Sequence, residues 1–178
     1  MSYTSFNDLA LNRQSCRDFN DNEIDLSKLD KAIETALLAP SACNSQPWKI
    51  YCATTKESID LVLDATQEKN RNLFLSKAKA FLVIAEREAN VFDDVKKRFH
   101  AEYFVKYDVG ELIAYLTLAL KEQGIESCII GWVNSEKLKK GFNMGEKENA
   151  HIVIAIGHSN APLRKKSRKD KEVTVKYL

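Results

Sequence analysis

A domain of mixed helices and strands is what this chain predicts, and three observations carry that reading. The segment Asp108 to Gln123 sets Val109, Leu112, Ile113, Leu116 and Leu120 on one helical stripe. Two short continuous apolar runs, Phe81 to Ala85 and Ile152 to Ile156, have the character of strands covered on both faces. No internal repeat, low-complexity stretch or linker divides the 178 residues, and 44% hydrophobic composition supplies an adequate core. The whole of 1–178 is therefore read as one domain.

In chain order, Phe6 to Leu11 reads as a first helix, which leaves Arg13 to Arg17 just beyond its C-terminal end. Asp25 or Ser27 caps a second helix whose Leu29, Ile33, Ala36 and Leu37 keep helical spacing. Pro40 stops it, because the residue before a proline avoids the helical region. Trp48 to Thr54 is a strand with Ile50 and Cys52 set against Tyr51 and Ala53, and Lys56 to Thr66 is a helix. Asn90 to Phe104 is amphipathic and charged, a helix suited to covering something. The Asp108 helix is widened by Ala114, Leu118 and Ala119 and is expected to be buried nearly all round; Gly124 ends it. Ile125 to Val133 contains a strand interrupted at Gly131, and Glu136 to Phe142 forms a short helix before the last core strand. The tail opens with a basic run from Arg164 and closes on alternating Val173, Val175 and Tyr177. That is the pattern of a strand added to a sheet edge, a partner's edge among the options.

Charge excludes several roles. Charged residues make up 29% of the chain, but the net charge is only +2, so no global field points to nucleic acid or a membrane. The apolar runs are far too short to span a bilayer. Met1 to Ser5 lacks the basic and apolar regions of a signal peptide, and cytoplasmic residence is the default expectation. The four cysteines include no Cys-x-x-Cys pair, and with His100, His151 and His158 they show no zinc spacing. They are read as structural thiols, and no metal is expected.

Two segments carry chemistry. Arg13-Gln14-Ser15-Cys16-Arg17 sets two guanidiniums around one hydroxyl, and the planar Arg fork matches the oxygens of a phosphate. Ala39-Pro40-Ser41-Ala42-Cys43-Asn44-Ser45-Gln46-Pro47-Trp48 is polar and proline-bounded, suited to a loop lying flat against a ligand. Together they suggest a chain that carries an organic phosphate cofactor.

With these residues the chain resembles the FMN-dependent nitroreductase family in its compact form. The resemblance comprises the Arg-x-Ser-x-Arg-x-Phe opening, the Asn44-Ser45-Gln46-Pro47-Trp48 loop, the Ala78 to Ala85 strand and Asp108-Val109-Gly110. The Gly124 to Gly131 turn and Ala155-Ile156-Gly157-His158 complete it. It implies an α+β sandwich, a mixed and mostly antiparallel sheet flanked by helices, with the long helix at the centre of a homodimer. It further implies FMN at the subunit interface and a C-terminal strand exchanged between subunits. By resemblance, Arg13, Gln14 and Ser15 contact the phosphate and ribityl chain. Arg17 lies at the pyrimidine edge, where positive charge favours the reduced flavin. Pro40, Ser41 and Asn44 reach the flavin of the other subunit, and the backbone at Gly131 and Trp132 passes its ring. Arg164, Lys166 or Arg168 completes the phosphate site, and Asn70 or Asn72 supplies a further polar contact. The implied activity is reduction of nitroaromatic or quinone-like acceptors with NADH or NADPH, in two half-reactions. The absence of a Rossmann glycine fingerprint makes the nicotinamide a transient visitor to an open cleft. The alternatives are another redox reaction (dehydrogenation, reductive dehalogenation, flavin breakdown) or a low-turnover flavin sensor.

The bland readings are these. Trp132 stands where family members often carry a small residue, which narrows the substrate side. Cys43 is read as a buried, inert thiol, because nothing cationic adjoins it in sequence. Trp48 and the Tyr103, Phe104, Tyr107 cluster are read as packing. The run from Arg164 to Lys171, taken alone, would be a solvated tail, and no interleaved aromatics support binding of nucleic acid.

Overall fold

The structure is a computed structural model that describes residues 5–178, apart from the side chains of Ala101 and Glu102. In chain order it contains α1 (Phe6–Asn12), α2 (Leu26–Ala36), β1 (Trp48–Ala53), α3 (Lys56–Thr66), β2 (Ala80–Glu86) and α4 (Asp93–Arg98). There follow α5 (Ala101–Glu122), β3 (Glu126–Ile130), α6 (Ser135–Gly141), β4 (Asn149–Gly157) and α7 (Lys171–Thr174). The strands form one sheet in the order β1-β2-β4-β3, every pairing antiparallel, with Phe81 opposite Ala155 and Cys128 opposite Ala155 from the other side. A parallel bridge between Ser15 and Ser127 lays the arginine segment along the outer edge of β3, so the sheet is mixed and mostly antiparallel.

Strand periodicity builds two cores on this sheet. Ala80, Leu82 and Ile84 face one way with Ile154 and Ile156, under Leu29 and Ala32 of α2 and Leu112, Leu116 and Leu120 of α5. Phe81, Val83 and Ala85 face the other way with Val153 and Ala155, under Val62 and Ala65 of α3 and Leu138 of α6. The layers are helices, sheet, helices. Both central strands are covered on both faces, which is why their sequences read as unbroken apolar runs. Local signals close the helices. Asp25 caps α2 through the Ser27 amide, Thr55 and Ser58 form a capping box on α3, and Gly124 takes a φ of +76° after α5.

Four expectations meet a different arrangement within this single chain. Asn90 to Phe104 is not one helix: α4 ends at Arg98, Phe99 is extended, and α5 begins at Ala101, well before Asp108. The stripe through Val109 and Leu120 is buried, but Ala114 and Tyr115 are exposed and Leu118 half-buried, because among the described residues nothing closes over that part of α5. Cys43 and Cys52 are exposed, and only Cys16 and Cys128 are buried as structural thiols. The tail contains no strand in this chain. Val173 lies in α7, and Val175 and Tyr177 are exposed, while the edge of β3 is already taken by the Ser15 segment. Among the described residues no helix is long and apolar enough to cross a membrane.

Candidate flavin site

Helix α1 ends at Asn12, and the chain turns extended at Arg13 to run beside β3, where the Cys16 amide donates to the Ser127 carbonyl at 2.8 Å. This pins Arg13 to Arg17 against the sheet. The tail then folds back over the segment. The Gln14 amide donates to the Pro162 carbonyl at 3.3 Å, and its oxygen accepts from the Arg164 amide and Nε. The Arg164 guanidinium also donates to the Ser15 carbonyl, and Lys166 Nζ donates to the Arg13 carbonyl.

The result is an open pocket of about 280 Å³ lined by Arg13, Gln14, Ser15, Arg17, Arg164, Lys165, Lys166, Ser167 and Arg168. Six of these are cationic, and no acidic side chain lines the pocket among the described residues. Among the described residues the guanidiniums of Arg13 and Arg17 have no hydrogen-bond or ion-pair partner there. Burial lowers the Lys166 pKa, and the charges of Arg13, Arg168, Arg164 and Lys121 lower it further. Burial pushes the Cys128 thiol up, partly opposed by the field of Arg17. Like charges are held together here by backbone contacts with no internal counterion. An anion rich in oxygens is the ligand that such a donor set fits, and a phosphate monoester matches it.

All three basic tail residues named as alternatives line this pocket, with Lys165 and Ser167 added. The density of the basic run hid those two. Gln14 is present, but its side chain is engaged in tying the tail down. The other site residues lie elsewhere in the chain. Gly131 and Trp132 follow β3 at its far end, both exposed, and the Arg71 guanidinium sits 5.1 Å from the Trp132 ring centroid. Asn72 is half-buried, with its amide donating to the Thr66 carbonyl at 3.0 Å, whereas Asn70 is exposed.

Pro40, Ser41 and Asn44 lead into β1, at the opposite edge of the sheet from β3, so they do not meet the pocket within one chain. Their loop is built with care. Ser41 Oγ accepts from the Gln46 amide at 2.9 Å, and buried Asp108 accepts from the Ala42 amide at 3.1 Å. Cys43, Asn44 and Gln46 have φ of 52°, 52° and 47°, left-handed geometry that costs non-glycine residues about 1–3 kcal/mol each. Sequence reasoning missed both the strain and the Asp108 anchor. Asn44, the residue type that tolerates this conformation best, was the available signal.

Comparison with known proteins agrees with this fold. The nitroreductase family model matches residues 10–74 and 62–158. An oxygen-insensitive NADPH nitroreductase of Helicobacter pylori J99 is 24% identical, with 93% of each chain covered. An iodotyrosine deiodinase of Thermotoga neapolitana is 24% identical over 96% of each. A protein of Exiguobacterium sibiricum 255-15, solved in complex with FMN, superposes with a TM-score of 0.86 at 16% identity, covering 100% of this chain and 99% of its own. On the family match, which spans both the arginine segment and all four strands, the chain belongs to the nitroreductase family of flavin-dependent oxidoreductases.

Proposed function

We propose that the chain is a homodimeric FMN enzyme that draws electrons from NADH or NADPH and reduces electron-poor planar acceptors such as nitroaromatics or quinones. The observation that carries this reading is the acid-free cationic pocket at Ser15, with Gly131 four residues along β3 from its bridge partner Ser127. Four residues of strand span about 13 Å, a distance that a ribityl chain between phosphate and ring can bridge.

When bound, FMN supplies reversible two-electron chemistry at its ring. The chain's own contribution is binding, orientation and field. Arg13, Ser15 and the tail cations Arg164, Lys166 and Arg168 hold the phosphate, and Arg17 places positive charge toward the pyrimidine edge. Gly131 lets backbone approach the ring closely. Pro40, Ser41 and Asn44 of a second copy complete the site, which accounts for a strained loop that lies at the opposite sheet edge from the cationic pocket of its own chain. The exposed face of α5 and the unpaired tail supply the surfaces for that second copy, with the tail forming a strand on it. The sequence shows no adenine pocket, which favours FMN over FAD.

Donor and acceptor share one cleft, so initial-rate plots give parallel double-reciprocal lines with inhibition at high acceptor concentration. The test is a visible spectrum of the purified protein, mass spectrometry of the heat-released cofactor and anaerobic titration with NADH and NADPH. FAD, or no flavin, sinks the assignment, and intersecting lines sink the shared cleft. Reductive dehalogenation is the second reading, supported by the deiodinase relative. Halide release from an iodophenol under the same conditions separates the two.

A further inference from the structure

The residues beside Gly131 hold a feature that cofactor binding does not use. Arg71 is exposed, stacks on the half-exposed face of Trp132, and makes no ion pair among the described residues. This is not for lack of a neighbouring acid. Glu68 lies three residues earlier, but Lys137 at 3.0 Å and the Asn134 amide at 2.7 Å engage its carboxylate, and Asp64 also pairs with Lys137. The loop that presents Arg71 is braced. Lys69, Asn70 and Asn72 hold left-handed φ of 57°, 58° and 52°, and Gln67 donates to the Asn72 carbonyl and to Ser76 Oγ. A planar guanidinium is thus held on an indole with its fork open, the arrangement that recognises a carboxylate next to a flat ring.

We propose that Arg71, seated on Trp132, is a specificity-determining residue that selects flat acceptors carrying a ring carboxylate over neutral ones. This rests on the reading that the flavin ring lies at Gly131. Its chemistry is that of binding: the guanidinium pairs with the carboxylate while the aromatic plane continues over the flavin.

The experiment uses the FMN-loaded protein and two matched ligands that are not reduced, benzoate and benzamide, followed through the flavin visible spectrum. The parent binds benzoate about tenfold to a hundredfold more tightly than benzamide, the range of a charge-assisted pair. Arg71→Gln brings the two ligands together while its FMN content stays that of the parent. In turnover, Arg71→Gln raises KM for 4-nitrobenzoate with little change in kcat and leaves nitrobenzene unaffected. Equal binding of both ligands to the parent, or an unchanged ratio in Arg71→Gln, overturns the inference and leaves the flavin reading intact. Loss of FMN from Arg71→Gln assigns Arg71 to the cofactor and also overturns it. A parent that carries no FMN overturns both.

Discussion

Lys166 is the residue at which the proposed phosphate role of the cationic pocket is most open to test. Its pKa is lowered first by burial and then by the guanidiniums around it, so the protein without ligand favours the neutral amine more than an isolated lysine does. For a base the sign is clear: a lowered folded pKa makes the charged form a cost to stability at neutral pH, relieved as pH rises through that pKa. A phosphate monoester reverses the balance and lifts the pKa. FMN affinity is therefore full while Lys166 is protonated in the free protein and falls as pH climbs through the lowered pKa. Fluorescence titration of FMN across the alkaline range measures this, and Lys166→Met should remove that component of the fall. An equally steep fall in the variant would place the titration elsewhere. Arg13, on the facing segment of the same pocket, offers a companion test. Arg13→Ala should weaken FMN binding by about 1.5–3 kcal/mol, the loss of a charge-assisted hydrogen bond. Unchanged affinity would mean that the phosphate lies away from Arg13.

Elements position these residues through a few close approaches. The arginine segment reaches β3 because the chain after it dives inward at Phe19, which is buried against the C-terminal end of β4. There a Cβ on Gly157 would stand 2.9 Å from the Phe19 ring, closer than side chains tolerate. Gly157→Ala must push Phe19 out of a packed core and should cost about 1–3 kcal/mol of stability by chemical denaturation. Because Phe19 and Arg17 are two residues apart, the same variant should also weaken FMN binding. A variant as stable as the parent would show that the ring has room to move. At the other sheet edge, the Asp108 carboxylate on α5 fixes the strained loop before β1, so one helix sets both the core and the geometry of that loop.

The whole molecule joins its two ends at the pocket: the tail from Pro162 to Arg168 returns to the N-terminal Arg13 to Arg17 segment through Gln14. Ending the chain after Leu163 removes Arg164, Lys166 and Arg168 together with Val173, Val175 and Tyr177. In the proposed dimer that truncation should release flavin and loosen subunit association together, read by absorbance during size-exclusion chromatography. A truncated protein that stayed dimeric and loaded with FMN would reduce the tail to a solvated appendage.

Sequence by itself determined the parts whose causes are local or periodic. Helix α3 falls at Lys56–Thr66 as read, since its cap residues and apolar spacing lie within the segment. The strands β2 and β4 announced themselves because burial on both faces leaves no polar alternation to confuse them. The arginine segment and the proline-bounded loop were legible because Arg, Asn and Pro bring specific chemistry at any address. Only the tertiary structure decided what depends on distant neighbours. The break at Phe99 carries no glycine or proline to betray it, and α5 continues past Asp108 because Val105 and Val109 find the same core. The alternation of Val173, Val175 and Tyr177 satisfies the pattern of a strand, but a strand needs a free edge. That of β3 is occupied by Ser15 in this chain. The open fork of Arg71 follows from Glu68 turning to Lys137 and Asn134, a choice between partners far apart in sequence that no local pattern encodes.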